Sequence, residues 1–369
     1  MRLGITCYPS YGGSGIVATE LGLELALRGH EVHFITHANP IRLDADVPGI
    51  HYHEVEVAQY PLFQYPPYTL ALASRMAEVA ACYKLDLLHV HYAIPHSIAA
   101  MLAQQMTAKR RLPFVTTLHG TDITLVGTDR SYFPITRFSI EKSDGITAIS
   151  QYLRDQTVQV FGIQKPIEVI PNFVNCKVYR PQPERRRADK TLLHISNFRP
   201  VKRTLDCIRI LREVLRDTDA HLLMAGDGPE RGPAEMLALE LGVSEQVTFL
   251  GKQDHVERLI PTTHVMLLPS ELESFGLAAL EAMACGVPPV ATRTGGLTEV
   301  VTHGRDGFLE EVGDVRAQAA RVVALLTDNA LYDRMAAAAR ETAQTRFDAA
   351  RIIPLYEAYY ETVCAGVPA

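Results

Sequence analysis

His264-Val-Met-Leu-Leu268-Pro269-Ser-Glu271-Leu-Glu273-Ser274-Phe275-Gly276-Leu277-Ala-Ala-Leu-Glu281-Ala-Met-Ala284-Cys-Gly286-Val-Pro288 decides how the chain is read. Its opening apolar run predicts a buried parallel strand, and Phe275–Ala284 predicts a helix ended by Gly286 and Pro288. Glu273 then lies in the strand-to-helix loop, with Glu281 two turns inside the helix. A helix N-terminus offers backbone N–H groups and the positive end of the peptide dipoles, which suits a phosphate or a set of hydroxyls. Two carboxylates bracketing that end can accept hydrogen bonds from sugar or ribose hydroxyls. The plain alternative for each is a solvated glutamate.

Working outward, the same strand-then-helix rhythm runs through the chain and predicts parallel sheets with crossover helices. Strands are expected at Leu3–Tyr8, Glu31–Thr36, Leu87–Tyr92, Phe114–Leu118, Gly145–Ile149 and Ile167–Ile170, and helices at Gly15–Arg28, Leu70–Tyr83 and Ser97–Lys109. Ala58–Tyr68, rich in Tyr, Pro and Gln, reads as a surface loop or lid. The rhythm breaks between Ile170 and Pro183 and then restarts. Strands are expected at Thr191–Ser196, His221–Ala225, Gln246–Leu250, Val265–Leu268 and Pro289–Thr292, with helices at Thr204–Arg216, Ala234–Leu241, Arg316–Leu326 and Leu331–Thr342. An α/β chain of two doubly wound, Rossmann-like domains results, 1–171 and 172–349, with a C-terminal helix in 350–369 packing back on the first. Such domains bind ligands at the carboxyl ends of their strands, here expected in a cleft between them.

Length agrees: 369 residues exceed one typical domain. The hydrophobic fraction of 47% with 21% charged residues is that of an ordinary globular protein. A net charge of −6 gives no global support for a nucleic-acid or anionic-membrane partner. No apolar run reaches membrane-spanning length. The six scattered cysteines read as reduced thiols, so a cytoplasmic location is expected. Fourteen histidines are numerous, yet no metal-ligand set is read among them.

The motifs fall at expected strand ends. Tyr11-Gly12-Gly13-Ser14-Gly15 would bring backbone close to an anion; it fits the dinucleotide fingerprint, but the ribose-binding acid is missing from Phe34-Ile-Thr-His-Ala38. His89-Val-His91-Tyr92 and Thr116-Thr117-Leu118-His119-Gly120-Thr121-Asp122 put polar groups toward a cleft, with His89 expected to be structural and His119 functional. Asn197-Phe-Arg199-Pro-Val-Lys202-Arg203 carries three cations before a helix and reads as a diphosphate clamp. Gly226-Asp-Gly-Pro229 and Gly251-Lys-Gln253-Asp254 supply turns able to read a planar base.

These residues resemble the retaining glycosyltransferases of family 4, which have the GT-B fold. Glu273-x7-Glu281, the Glu-Ser-Phe-Gly loop, Gly226–Pro229, the 197–203 loop and Gly12-Gly13 carry the resemblance over essentially the whole chain. Within the family, Gly4–Ser10, His89–His96, Leu118–Thr124, His194–Arg199 and Phe63–Tyr68 are most similar to members that open bacillithiol biosynthesis. The resemblance implies UDP-N-acetylglucosamine as donor, L-malate as acceptor and retention at the anomeric carbon; because Arg199, Lys202 and a helix N-terminus can stabilise the departing diphosphate, no metal or other cofactor is expected. It assigns Glu281 to the ribose, Glu273 to a donor sugar hydroxyl, and the backbone of Ser274, Phe275, Gly276 and Leu277 to sugar and phosphate. Arg199 and Lys202 would neutralise the diphosphate, and His119 would face the donor sugar. Gly12, Gly13 and Ser14 would approach phosphate and acceptor, with Gly226 and Gln253 near the base. Ser14, Tyr92, Thr117 and Arg137 are candidates for the malate carboxylates. Arg199 lies only three residues before Lys202, where the commoner family spacing is five or six, which leaves open which cation grips which phosphate. Another family 4 acceptor and a UDP-N-acetylglucosamine 2-epimerase of the same fold stand as alternatives, and a homo-oligomer is left open.

Overall fold

A computed structural model describes residues 1–366 except 11, 45, 59, 60, 63, 108–110 and 125. Tyr11, Phe63, Lys109 and residues 367–369, all inside stretches singled out above, lie outside the described residues. The chain divides into two compact units: residues 1–171 with 352–369, and residues 172–351.

The first unit carries strands β1 (Arg2–Thr6), β2 (Glu31–Thr36), β3 (Ile50–Glu54), β4 (Leu87–His91), β5 (Phe114–Leu118), β6 (Gly145–Ala148) and β7 (Glu168–Val169). They form one parallel sheet in the order β3-β2-β1-β4-β5-β6-β7. Helices Tyr68–Tyr83 and Ile98–Met106 bury a face built from Ile35, Leu88, Val90 and Phe114. Because strand side chains alternate, His89 and His91 point to the other face, where the C-terminal helix Ala349–Ala365 packs. Tyr360 Oη meets His89 Nδ1 at 2.8 Å, and Tyr359 Oη accepts from the Ile146 N–H at 2.8 Å. Tyr356 and Tyr360 are fully buried there, each contributing about 1.5–3 kcal/mol by removing ring surface from water.

The second unit repeats the plan with β8 (Thr191–Ser196), β9 (His221–Gly226), β10 (Val247–Gly251), β11 (Val265–Leu268), β12 (Pro289–Thr292) and β13 (Phe308–Glu310), ordered β10-β9-β8-β11-β12-β13. Cys207, Ile208 and Leu211 of helix Thr204–Val214 and Val322 of helix Val315–Thr327 close its core on Leu192, Leu222 and Val265.

Two strands escaped the sequence reading. β3 lies at the sheet edge with only Ile50 and His53 buried, and its Ile-His-Tyr-His-Glu sequence lacks an apolar run. β13 is only three residues long. The helices Phe133–Lys142 and Gln151–Phe161 were also missed; their mean hydropathy is low and their buried positions include small polar residues such as Thr136, Ser139 and Thr157. No helix of the described residues is long and apolar enough to cross a membrane.

Candidate active site

In a doubly wound sheet, the loops that diverge where strand order reverses leave a crevice at the carboxyl ends. In the second unit that point lies between β8 and β11. The loop after β11 runs into helix Leu277–Ala284, which starts two residues later than the sequence suggested. The cause is Gly276, at φ 94°, where a Cβ would lie 2.4 Å from Leu297 Cδ2. Only glycine makes that turn without strain. Glu281 is consequently one turn into the helix rather than two. No side chain caps the helix, and N–H groups of a first turn have no partner within their own helix.

The loop after β8 is shaped by a buried histidine. His194 bonds through Nδ1 to the Leu267 carbonyl at 2.9 Å and through Nε2 to Ser196 Oγ at 2.8 Å, while Ser196 Oγ accepts from the Phe198 N–H at 3.2 Å. Burial pushes His194 down to about 4, against the upward pull of the Leu267 carbonyl. Phe198, fully buried at φ 38°, then turns Arg199 outward into solvent. Lys202 Nζ donates to Glu273 Oε1 at 2.6 Å, and Ser270 Oγ donates to the same oxygen at 2.9 Å. The Glu271 N–H meets the Val201 carbonyl at 2.8 Å, so the two loops are stitched by backbone as well. The sequence placed Lys202 on phosphate and Glu273 on sugar as separate groups; here they form one ion pair. Arg203 is committed elsewhere, to Asp206 at 2.7 Å.

Glu281 is buried and accepts from Tyr179 Oη at 2.8 Å. Arg340 holds that tyrosine's segment in place, donating to the carbonyls of Tyr179 at 2.7 Å and Cys176 at 2.8 Å. Neither Tyr179 nor Arg340 was foreseen, since Tyr179 lies in the stretch read only as a domain boundary. Gly226, expected near the base, is required by packing in any case: a Cβ there would fall 1.8 Å from the Ser196 carbonyl oxygen. Gln253 uses its amide N–H groups on the carbonyls of Leu250 (2.8 Å) and Lys252 (3.1 Å) and thereby holds its own turn.

The first unit reverses strand order between β1 and β4. Around Gly12 the space is open, a Cβ meeting nothing nearer than Ser10 Oγ at 3.7 Å. Ser14 Oγ donates to Tyr92 Oη at 3.4 Å. Tyr92 has φ 87°, a costly backbone for a bulky residue. Its ring stacks on His119 at 5.5 Å and meets Tyr8 edge-on at 5.2 Å. His119 Nε2 pairs with His91 Nδ1 at 2.8 Å. Asp122 fastens the corner, accepting from the N–H groups of Gly120 (2.8 Å), Ala93 (3.1 Å) and His119 (3.2 Å). Burial drives His119 down to about 3, so it is a neutral hydrogen-bonding group at neutral pH and not a proton donor by charge.

Thr117 does not belong to this surface. It is fully buried, with its hydroxyl bonded to His89 Nε2 at 2.7 Å and Thr147 Oγ1 at 2.6 Å. His89 is structural, as expected. Arg137 is exposed on helix Phe133–Lys142.

Two family models match in tandem: Glycosyltransferase Family 4 over residues 11–178 and Glycosyl transferases group 1 over residues 177–342. The N-acetyl-alpha-D-glucosaminyl L-malate synthase of Bacillus anthracis is 49% identical across 98% of this chain and 97% of its own length. In fold, the chain is similar to sucrose-phosphate synthase from Thermosynechococcus elongatus (TM-score 0.83, 21% identity, 99% of both chains). It is also similar to HepE of Anabaena solved with UDP and glucose (TM-score 0.82, 20% identity, 98% of this chain and 99% of that one). Those two likenesses establish the GT-B architecture of paired Rossmann-like units. With the Bacillus anthracis relative 49% identical over 98% of this chain and the two family models spanning residues 11–342, the chain belongs to glycosyltransferase family 4 and is a glycosyltransferase.

Proposed function

We propose that this glycosyltransferase moves N-acetylglucosamine from UDP-N-acetylglucosamine to the hydroxyl of L-malate, the first step of bacillithiol biosynthesis, with retention and without a metal. The observation that carries the reading is the near-full-length 49% identity to the Bacillus anthracis synthase of that name. The six unpaired thiols fit a reducing, cytoplasmic setting.

Transfer breaks the bond between the anomeric carbon and the phosphate oxygen and forms one from that carbon to the malate hydroxyl oxygen. Charge builds on the departing diphosphate, and stabilising it is the largest demand on the site. Arg199, Lys202 and the uncapped helix at Leu277 meet that demand with cations and N–H groups. Glu273 is already ion-paired to Lys202, which suits it to hold a sugar hydroxyl and orient the lysine rather than to act as a nucleophile. Attack from the leaving-group face follows, with a phosphate oxygen of UDP taking the malate hydroxyl proton. Ser14, Tyr92 and neutral His119 supply polar groups from the first unit, and the open space at Gly12 gives a ligand clearance. Arg137 remains a candidate for a malate carboxylate.

The test is UDP release by the full chain in chelator-treated buffer. Release that requires both UDP-N-acetylglucosamine and malate, with an α-linked product, supports the proposal. Release indifferent to malate overturns the acceptor; formation of the 2-epimer without acceptor would indicate the epimerase; dependence on added magnesium overturns the metal-free step.

Glu281 and Tyr179 give a sharper expectation. Glu281→Gln should weaken UDP binding about 10- to 100-fold, the value of a hydrogen bond to a charged carboxylate, with kcat at saturating donor largely kept. Tyr179→Phe, which leaves the carboxylate but removes the hydroxyl that bonds it, should lie between that variant and the parent. Calorimetric UDP titration reads both; unchanged affinity in Glu281→Gln would remove the ribose assignment.

A further inference from the structure

At the other end of the first unit's sheet, where β2 and β3 begin, Glu31, His33, His51 and His53 share one face. The parallel register sets His33 directly beside His51, and residues two apart on a strand point the same way. Glu31 Oε1 lies 3.2 Å from His33 Nε2 and 3.6 Å from His51 Nε2, and all three atoms are within 4.8 Å of one another. We propose that Glu31, His33 and His51 form a zinc-type site that clips the edge strand β3 to β2.

Donors bound about 2.0–2.1 Å from a tetrahedral zinc stand about 3.4 Å apart, and the two measured separations bracket that value. Two imidazoles and one carboxylate are a borderline donor set that suits Zn2+ and its first-row neighbours, not Mg2+ or Ca2+. The supporting groups are also in place. His33 Nδ1 meets His53 Nε2 at 2.9 Å, so His33 has the outer hydrogen bond that fixes a ligating ring's orientation. Tyr83 packs on the His33 ring at 4.6 Å and on His53 at 5.0 Å. Arg2 Nε takes the other Glu31 oxygen at 3.2 Å and so turns Oε1 toward the histidines. His33 is fully buried whereas the His51 side chain is 43% exposed, which gives an ion an entry path and leaves a fourth position to water. The consequence is mechanical: β3 is an edge strand, and an ion bridging it to β2 adds a tie that ladder hydrogen bonds alone do not supply. The sequence reading found no metal set because the ligands come from two strands and meet only through register.

Zn2+ added to the chelator-stripped full chain should bind with a stoichiometry of one by calorimetry and raise the thermal midpoint. Co2+ in its place should give the intense visible bands of a four-coordinate site. His51→Ala removes an exposed ligand and leaves the fold and transferase turnover unchanged; it should abolish the zinc-dependent rise in midpoint and the cobalt bands. His53→Ala should weaken zinc about 10- to 100-fold, as loss of an outer partner does. No zinc-dependent shift in the parent chain overturns the proposal, and so does a shift that survives intact in His51→Ala. Neither outcome depends on the identity of the sugar acceptor.

Discussion

Lys202→Ala should lower kcat about 100- to 1000-fold, and added magnesium should not restore it. Removing one preorganised group that stabilises developing negative charge costs about 3–4 kcal/mol of transition-state energy. The ion pair with Glu273 adds a second contribution. In the variant, the Glu273 carboxylate, its side chain only 13% exposed, loses the lysine and is left with Ser270 on that oxygen. That stranded carboxylate then repels the diphosphate in the bound state as well as in the transition state. The two contributions separate in a double-mutant cycle. Glu273→Gln alone should lower kcat while sparing UDP affinity. If the stranded charge matters, Lys202→Ala with Glu273→Gln should bind UDP more tightly than Lys202→Ala alone, though kcat stays low. Steady-state kinetics with UDP titration checks this, and a Lys202→Ala kcat within threefold of the parent would remove the lysine from the mechanism.

The ion pair also marks how far the sequence could be read. The central strands of both sheets were legible, since they are buried on two faces and read as apolar runs between glycine turns, whereas the edge strands β3 and β13 were not. Glu273 and Lys202 were each recognisable as residues at strand carboxyl ends, yet their contact depends on how two loops 71 residues apart in sequence meet. Tyr179 was invisible for the same reason, 102 residues from the Glu281 it touches. Thr117 shows the opposite error: its place at the end of a central strand suggested a ligand-facing hydroxyl, but pleat direction turned it inward to His89 and Thr147. Strand alternation distinguishes the two faces of Val115-Thr-Thr-Leu118 without saying which is which. His119, just past the strand, was read as ligand-facing, and its ring pairs with His91 and stacks on Tyr92.

That histidine network should make the first unit acid-labile before the second. Burial holds His89 and His119 down to about 3 and His96 to about 4, with His91 also well below its ordinary value. In an unfolded chain each would titrate near 6.5. Between those limits the unfolded state binds more protons, so stability falls as pH drops. Their stabilising contribution is whole above about pH 6.5 and is lost progressively as pH approaches the folded values. At pH 5.5 each histidine costs about 1.4 kcal/mol, and four together about 5.6 kcal/mol, against a typical total of about 5–15 kcal/mol. The second unit carries His194 and the partly buried His264 near 4, with His221 also lowered, whereas the first unit adds His33 near 4 and a lowered His53 to its network, so the second unit's loss is smaller. Hydrogen exchange at pH 5.0–5.5 should therefore show the β4 and β5 amides opening while β8 and β11 stay protected. The chain contains no tryptophan, so circular dichroism is the companion measurement. His96→Asn tests the cause, because deleting one suppressed titration should flatten the acid limb by about one proton. Equal protection of both units down to pH 4 would mean that the buried imidazoles accept protons without opening the sheet. Above pH 6.5 the same network is silent, and transfer activity should show no ionisation assignable to His119 across the neutral range.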